Sequence, residues 1–258
     1  MADKHKKADQ YNDPKFSYLK YWDDRQYENE AEKMAIDRLL KGKHFNLAAD
    51  VGGGYGRLSP ELLKFADNVV LAEPSQQQLD LAQDYLKDYP QISRKLMQAD
   101  DLEFSDRSVD LLIMIRVIHH LPNPTKEFQE VQRVLSPDGH AIIEVANFMH
   151  ARNRLKYLAQ GKKLPVNPVD IRSKRNKVQT EIQFVNHNPK TITKQLAHAG
   201  LKVERILSVS NLRSPMLKRT VPKGIMLAIE NVLQPTLAKA YFGPSVFFLV
   251  RRASRSGV

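Results

Sequence analysis

The chain has 258 residues, 42% of them hydrophobic, which suits one α/β domain or one domain with a cap. Its formal net charge is +11, and it contains no cysteine, which excludes disulfides and cysteine-ligated zinc and favours a cytoplasmic setting. No stretch approaches the roughly 18 apolar residues of a membrane-spanning helix. The basic start, MADKHKK, lacks the apolar segment of a secretory signal.

Residues 1–44 are predicted to form a separate N-terminal unit. An aromatic-rich stretch from Tyr18 to Glu28 holds the only tryptophan, Trp22. A helix is expected over about Glu28 to Lys41, with apolar residues at helical spacing and Gly42 as its stop. The aromatic cluster is expected to pack this leading helix against the core of the protein.

The stretch from Leu47 to Pro74 carries the strongest pattern in the chain. An apolar run containing Asp50 leads into Gly52-Gly53-Gly54-Tyr55-Gly56, and a helical pattern follows (Leu58, Leu62, Leu63, Ala66). A second apolar run, Val69 to Ala72, ends in Glu73 and Pro74. Glycines let the backbone approach a ligand closely, and a carboxylate at the end of the next strand can accept from both ribose hydroxyls. The stretch therefore predicts half of a nucleotide-binding α/β unit.

The rest of the chain alternates predicted helices and strands. The near-continuous apolar run from Val109 to Ile115 is typical of a strand covered on both faces in a parallel sheet. This alternation predicts a doubly wound α/β fold. The other predicted elements are a helix over Gln76–Tyr89 with Leu79, Ala82, Tyr85 and Leu86 inward, a strand over Arg94–Ala99, a helix opened by Pro124, strands over His140–Asn147, Lys202–Ser210 and Ser245–Val250, and a helix over Pro189–Gly200 with Thr191, Leu196 and Ala199 near its inner face.

Two insertions, at about 148–180 and 211–244, interrupt this alternation within residues 45–258. Between His150 and Lys177 the first insertion holds nine basic residues and the single acid Asp170. The second contains an apolar helical pattern from Ile225 to Leu233. Three interpretations of the basic insertion stay open: a solvated surface, a site for an anionic acceptor or peripheral membrane contact, and nucleic-acid binding. Nucleic acid is the least favoured, because Tyr157 is the only aromatic residue available there for stacking.

The spacing Asp50-x-Gly52-x-Gly54-x-Gly56 resembles the first motif of the class I S-adenosylmethionine-dependent methyltransferases that modify small molecules. The dinucleotide fingerprint G-x-G-x-x-G would need a glycine where Arg57 stands. The resemblance covers residues 45–147 well and residues 185–210 and 245–252 loosely. It implies a seven-stranded, mostly parallel sheet with an antiparallel last strand, and S-adenosylmethionine as the cofactor. The resemblance covers neither insertion, and we expect the two insertions to form a cap.

The resemblance also implies a set of binding residues. The N-terminal segment would lie over the cofactor, and Arg116 would lie at the mouth, with its guanidinium available to a substrate carboxylate or phosphate. The adenine-reading position of the family is acidic, whereas Gln98 stands here, so either Gln98 with Ala99 or Asp100 would make that contact. The implied cofactor-binding residues are Asp50, Gly52, Gly53, Gly54, Tyr55 and Gly56 at the methionine end, Glu73 and Pro74 at the ribose, Gln98, Ala99 and Asp100 at the adenine, and Arg116 at the mouth.

Methyl transfer from a sulfonium needs alignment of the acceptor and exclusion of water, and it needs a base only if the nucleophile arrives protonated. His119 and His120 are the candidate bases, although a histidine at the end of a buried strand is often a hydrogen-bonded structural residue. Attack on C5 of a pyrimidine is excluded because it uses a cysteine. The tetrapeptide typical of base-amine methylation is replaced by Arg116-Val117-Ile118-His119, and no spacing indicates a metal site.

The expected function is therefore S-adenosylmethionine-dependent methyl transfer to a small acceptor, for which anionic and lipid-like compounds are both candidates. Three alternatives stay open. They are a non-catalytic methyltransferase-like binding protein, an RNA-associated methyltransferase, and a nicotinamide-dependent oxidoreductase.

Overall fold

A computed structural model describes residues 18–179 and 182–253, so the parts of the predictions that fall on residues 1–17, 180–181 and 254–258 lie outside the described residues. Seven strands form one sheet, and a separate two-stranded ribbon lies apart from it. The strands are β1 (Phe45–Val51), β2 (Ala66–Glu73), β3 (Ile92–Leu96), β4 (Val109–Met114), β5 (Leu135–Ala146), β6 (Val169–Asp170), β7 (Val185–Asn186), β8 (Leu201–Val209) and β9 (Ser245–Arg252).

The sheet has the order β3-β2-β1-β4-β5-β9-β8, with β6 and β7 forming the ribbon. The first five of these strands run parallel to one another, and β9 runs antiparallel to both β5 and β8. This arrangement confirms the predicted doubly wound, seven-stranded, mostly parallel sheet with an antiparallel last strand. The order reverses at β1 and β4, and in such sheets ligands bind at the carboxyl ends of the strands beside that point.

Helices cover the two faces of the sheet. The described helices are α1 (Tyr18–Asp23), α2 (Gln26–Leu40), α3 (Ser59–Leu62), α4 (Gln76–Tyr85), α5 (Thr125–Val134), α6 (Ala151–Ala159), α7 (Lys174–Gln179), α8 (Pro189–His198), α9 (Pro215–Thr220) and α10 (Lys223–Thr236), with short 3-10 turns at Ile118–His120 and Ala238–Ala240. None of the helices in the described ranges is long and apolar enough to cross a bilayer.

Strand β4 shows why both faces need cover. Leu111 and Ile113 enter the core cluster that contains α2, whereas Leu112 and Met114 enter the cluster that contains α5 and α8. All four side chains are completely buried. Alternate residues of one strand therefore fill two cores, as the unbroken apolar run predicted.

The chain differs from prediction just after the glycine turn. The helix there is a single turn, α3, and Ala66 belongs to β2, where it pairs with Phe45 of β1. Leu58 and Leu62 are buried without a longer helix. The apolar residues that gave a helical pattern thus come from a turn and from the start of a strand.

Other boundaries and orientations also differ. The predicted third strand stops at Leu96 rather than at Ala99, and α4 ends at Tyr85 rather than at Tyr89. The prediction that Tyr85 points inward was wrong, because its side chain is 41% exposed. In α8 the buried position beside Leu196 is taken by Ile192 rather than by Thr191.

Candidate cofactor and active site

A cavity of about 360 Å³ opens at the carboxyl ends of β1, β2 and β4. The turns that follow these strands supply most of its wall, and α1 closes it from one side. Its lining residues are Trp22, Asp50, Gly52, Gly53, Gly54, Arg57, Leu58, Glu73, Pro74, Gln98, Ala99, Asp100, Ile115, Arg116, Val117, His120, Leu121 and Glu127.

The glycine turn after β1 has no room for side chains at two positions. Gly52 has a φ of 67°, and a Cβ there would lie 2.5 Å from a methyl group of Val117. A Cβ on Gly53 would lie 2.6 Å from the carboxylate of Asp50 and 2.6 Å from Leu71. Only glycine fits such close approaches, so the turn presents bare backbone to the cavity.

Glu73 ends β2 with its carboxylate aimed at that turn. One oxygen accepts from the backbone N–H of Gly54 at 2.9 Å, and the other accepts from the backbone N–H of Ser75 at 3.0 Å. The residue is buried and lines the cavity. Each carboxylate oxygen has two lone pairs, so the backbone bonds fix the side chain and leave it able to accept from a ligand hydroxyl.

Asp50 is a buried acid at the end of β1. It accepts from the Ser59 hydroxyl at 2.7 Å. Burial raises the pKa of Asp50 to about 6, although the Ser59 hydrogen bond and the charge of Arg57 act in the opposite direction. A carboxylate that is costly to ionise and that lines a cavity is typical of a functional site.

One buried carboxylate, Glu32 of α2, joins the N-terminal helices to the cavity wall. It pairs with the guanidinium of Arg57 at 2.6 Å and with that of Arg116 at 2.6 Å. Burial raises the pKa of Glu32, but the charges of Arg116 and Arg57 outweigh this effect and lower the pKa below its usual value. Both guanidinium groups also lie against the Trp22 ring, at 3.6 Å for Arg57 and 4.8 Å for Arg116.

This network corrects the expected role of the Arg116 side chain. The guanidinium was expected to face a substrate carboxylate or phosphate, but it is engaged by Glu32 and by the face of Trp22. The backbone of Arg116 is held in the left-handed region, with a φ of 61°, and its N–H donates to Glu144 at 3.1 Å. Arg116 thus shapes the mouth of the cavity chiefly through its backbone and its packing.

Two buried polar atoms on the cavity wall have no hydrogen-bond partner among the described residues. One is the indole N–H of Trp22, whose side chain is 7% exposed. The other is a carboxylate oxygen of Glu127, a residue that is 8% exposed on α5. Burial raises the pKa of Glu127, and the charge of Asp100 raises it further. The residues of the wall therefore include one buried donor and one buried acceptor that lack partners among the described residues.

The part of the chain that carries this site is similar to known proteins. Residues 49–143, from the end of β1 into β5, match the family of methyltransferase domains. This match confirms the resemblance of this part of the chain to the class I S-adenosylmethionine-dependent methyltransferases. The cofactor of those methyltransferases is S-adenosylmethionine, and the glycine turn and Glu73 stand at the matching positions of their first motif and second strand.

Three individual proteins illustrate the similarity of this chain to known methyltransferases. A protein of Dictyostelium discoideum, named as a candidate methyltransferase, is 29% identical over 108 residues, which is 42% of this chain and 39% of that protein. The chain therefore aligns with well under half of the length of this curated relative. In solved structures, the fold matches the candidate methyltransferase complexed with the Trm112 activator from Haloferax volcanii (17% identity, 93% and 97% of the two chains, TM-score 0.62) and an S-adenosylmethionine-dependent methyltransferase from Mesorhizobium loti (17% identity, 86% and 98%, TM-score 0.57).

The two candidate bases, His119 and His120, lie in different surroundings. His120 lines the cavity, and its Nδ1 lies 2.9 Å from the carbonyl oxygen of Gln183. A carbonyl only accepts, so Nδ1 carries the proton and Nε2 is the basic nitrogen of the neutral ring. His119 instead stacks on Phe184, with ring centroids 5.5 Å apart, and burial holds its pKa well below the usual value. His120 is thus the better placed of the two.

Most of the residues that the sequence indicated do line the cavity, but three do not lie among its described lining residues. Tyr55 is buried and packs edge-on against Tyr85, with ring centroids 4.9 Å apart. A Cβ on Gly56 would meet Leu86 and Leu71, so this glycine faces the core. His119 is the third.

Several lining residues were missed or given no role. Trp22 was expected only as part of a lid, and Arg57 was noted only for replacing a glycine. Glu127 carried no signal, because a glutamate in the first turn of a helix is ordinary. A buried Glu32 needs a positively charged partner, but only the fold shows that this partner is Arg57 and that Arg57 lies against Trp22.

Proposed function

We propose that this chain binds S-adenosylmethionine in the cavity and transfers its methyl group to a small acceptor. The observation that carries the proposal is the pairing of a side-chain-free glycine turn with the Glu73 carboxylate held against it by Gly54. Bound there, S-adenosylmethionine supplies the electrophilic methyl group.

The order of the strands supports an orientation for the cofactor. Moving along the carboxyl edge from β3 through β2 and β1 to β4, the wall passes from Asp100 to Glu73, then to Asp50, and then to Arg116. The adenine therefore belongs beside Asp100 and Glu127, the ribose beside Glu73, and the methionine end beside Asp50.

The two unsatisfied polar atoms fit this orientation. The exocyclic amine of adenine is a donor and suits the unpaired oxygen of Glu127. The carboxylate of the methionine end is an acceptor and suits the indole N–H of Trp22, which stands among two guanidinium groups. Asp50 would face the positively charged amino group.

His120 is proposed as the base for an acceptor that arrives as a hydroxyl or a protonated amine. A hydroxyl would give its proton to Nε2 as its oxygen bonds to the methyl carbon and the carbon–sulfur bond breaks. A protonated amine would give its proton to Nε2 first, because only the neutral amine has the lone pair that attacks the methyl carbon. The Gln183 carbonyl holds the ring in the required tautomer through Nδ1. The ring of Phe184, 4.7 Å from that of His120, restricts its motion and helps to exclude water.

The test is mass spectrometry of small metabolites from the host after incubation with the protein and a methyl-labelled donor. The proposal predicts a labelled product with the wild-type protein and loss of that product with His120→Asn, which keeps a donor for Gln183. The matched control is Tyr89→Ser, an exposed change away from the cavity. Cofactor binding without any labelled product would favour the non-catalytic alternative, and binding of NAD in place of S-adenosylmethionine would favour the oxidoreductase.

A further inference from the structure

Exposed apolar side chains are concentrated in the two insertions. Nine of the twelve large apolar side chains that are exposed in the described part of the chain lie within 148–180 or 211–244. These insertions are a minority of the residues, so an even spread over the surface would place few of them there. Contiguous exposed apolar surface marks an interaction site.

Helix α10 in the second insertion points its apolar side outward. Its buried side chains are Met226, Glu230 and Gln234, whereas Ile225, Ile229 and Val232 are between 44% and 61% exposed. The inward position is polar because Glu230 accepts several hydrogen bonds, including those from the Tyr27 hydroxyl at 2.7 Å and the Ser210 N–H at 2.8 Å. The helix is therefore anchored by polar contacts, and its apolar face has no cover among the described residues.

Helix α6 in the first insertion also has polar side chains inward and apolar side chains outward. Its inward side chains are Asn153 and Arg154. Asn153 donates to the carbonyl of Phe148, and Arg154 donates to the carbonyls of Met149 and of Ala240 in the second insertion. Its outward side chains, Leu155 and Leu158, are 68% and 77% exposed. The start of α6 also meets the end of the second insertion, because the N–H of Ala151 donates to the carbonyl of Phe242 at 3.0 Å. The two insertions are thus neighbours.

The charges around these apolar faces are of one sign. The first insertion has nine basic residues and the second has five, with one acid in each. Asp170, the first acid, is paired with Arg172 at 2.9 Å and with Lys177 at 3.5 Å. Glu230, the second, is completely buried. Lys156 of α6 and Lys163, which follows this helix, are exposed. The surface therefore offers protruding apolar side chains among cations.

We propose that the outward faces of α6 and α10 dock the protein on an anionic lipid bilayer. Leucine and isoleucine side chains enter the boundary between headgroups and acyl chains, and the surrounding Lys and Arg residues pair with anionic headgroups. The segment that follows the first insertion reaches the cavity, because its Gln183 carbonyl accepts from His120. Docking would therefore bring the cavity close to the lipid surface. The proposal is independent of whether methyl transfer occurs.

The experiment is sedimentation of the full chain with vesicles of phosphatidylcholine containing about a third phosphatidylglycerol, against vesicles of phosphatidylcholine alone. The wild-type protein is expected to sediment with the anionic vesicles only, and less as salt is added. Replacing both leucines of α6 (Leu155→Ser, Leu158→Ser) or two apolar residues of α10 (Ile229→Ser, Val232→Ser) should weaken binding about tenfold or more. All four side chains are exposed, so the variants should melt like the wild type.

A charge-reversal pair supplies the matched control. The double variant Lys156→Glu with Lys163→Glu should abolish vesicle binding. The control, Lys87→Glu with Lys95→Glu, changes the net charge by the same amount at exposed sites outside the insertions, and it should keep most of the vesicle binding. The proposal is overturned if the wild type stays in the supernatant with anionic vesicles, or if both reversals weaken binding equally. It is also overturned if light scattering shows a dimer that the α10 double variant dissociates, or if single-stranded RNA is retained where vesicles are not.

Discussion

Replacing Asp50 by asparagine should stabilise the ligand-free protein while weakening its cofactor binding. Asp50 is buried, and its pKa is raised to about 6 from an ordinary value of 3.8, mainly by burial. The difference means that ionising Asp50 costs about 3 kcal/mol more in the folded protein than in the unfolded chain. An asparagine at this position carries no charge and can still accept from the Ser59 hydroxyl.

The sign of the pH dependence follows from the raised pKa. The folded protein holds the Asp50 proton more tightly than the unfolded chain does, so wild-type stability falls as the pH rises from about 4 to about 6. Asp50→Asn lacks this fall. Its free energy of unfolding should match that of the wild type near pH 4 and exceed it by up to about 3 kcal/mol above pH 6.

Urea unfolding followed by circular dichroism from pH 4 to about pH 8 measures this difference. Asp84→Asn, an exposed substitution on α4, is the control and should show no comparable dependence. Titration calorimetry should show about tenfold weaker S-adenosylmethionine binding by Asp50→Asn, because one charge-assisted contact is lost. An Asp50→Asn variant that is less stable than the wild type at pH 7, or that binds the cofactor equally well, would refute the reasoning.

Four further substitutions test other parts of the site. Glu73→Gln should raise the dissociation constant of S-adenosylmethionine about 10- to 100-fold by calorimetry, since a carboxylate contact to the ribose is lost; an unchanged constant would remove Glu73 from the site. His120→Asn should lower the rate of methyl transfer by about 10²-fold or more at unchanged cofactor affinity, whereas His119→Asn should have a much smaller effect on rate; equal effects would contradict the assignment of His120 as base. Glu32→Gln should cost about 3–5 kcal/mol of stability in urea unfolding, because two buried guanidinium groups lose their counter-charge; a change below about 1 kcal/mol would show that the network is not needed.

The parts of the site that the sequence predicted are those fixed by short-range pattern. Asp50, the glycines and Glu73 lie within one strand–turn–strand unit, where a backbone turn and a strand end dictate residue type. Gln98, Ala99 and Asp100 also reached the cavity, because parallel strands bring their carboxyl ends to one edge. Local chemistry was enough for this part of the wall.

The parts that the sequence did not predict depend on contacts between distant segments. Arg116 pairs with Glu32 and lies against the ring of Trp22. No local pattern indicates which arginine a buried glutamate will bind. The outward apolar face of α10 was equally hidden. Its apolar periodicity is that of an ordinary core helix, and only the buried partners of Glu230 reverse its orientation.

The central claim is that the cavity is built for S-adenosylmethionine, and calorimetric titration of the wild-type protein with S-adenosylmethionine and with NAD tests it most directly. We predict saturable binding of S-adenosylmethionine at one site per chain, with a change in the fluorescence of Trp22, the only tryptophan, which lines the cavity. Saturable binding of NAD with none of S-adenosylmethionine would contradict the account.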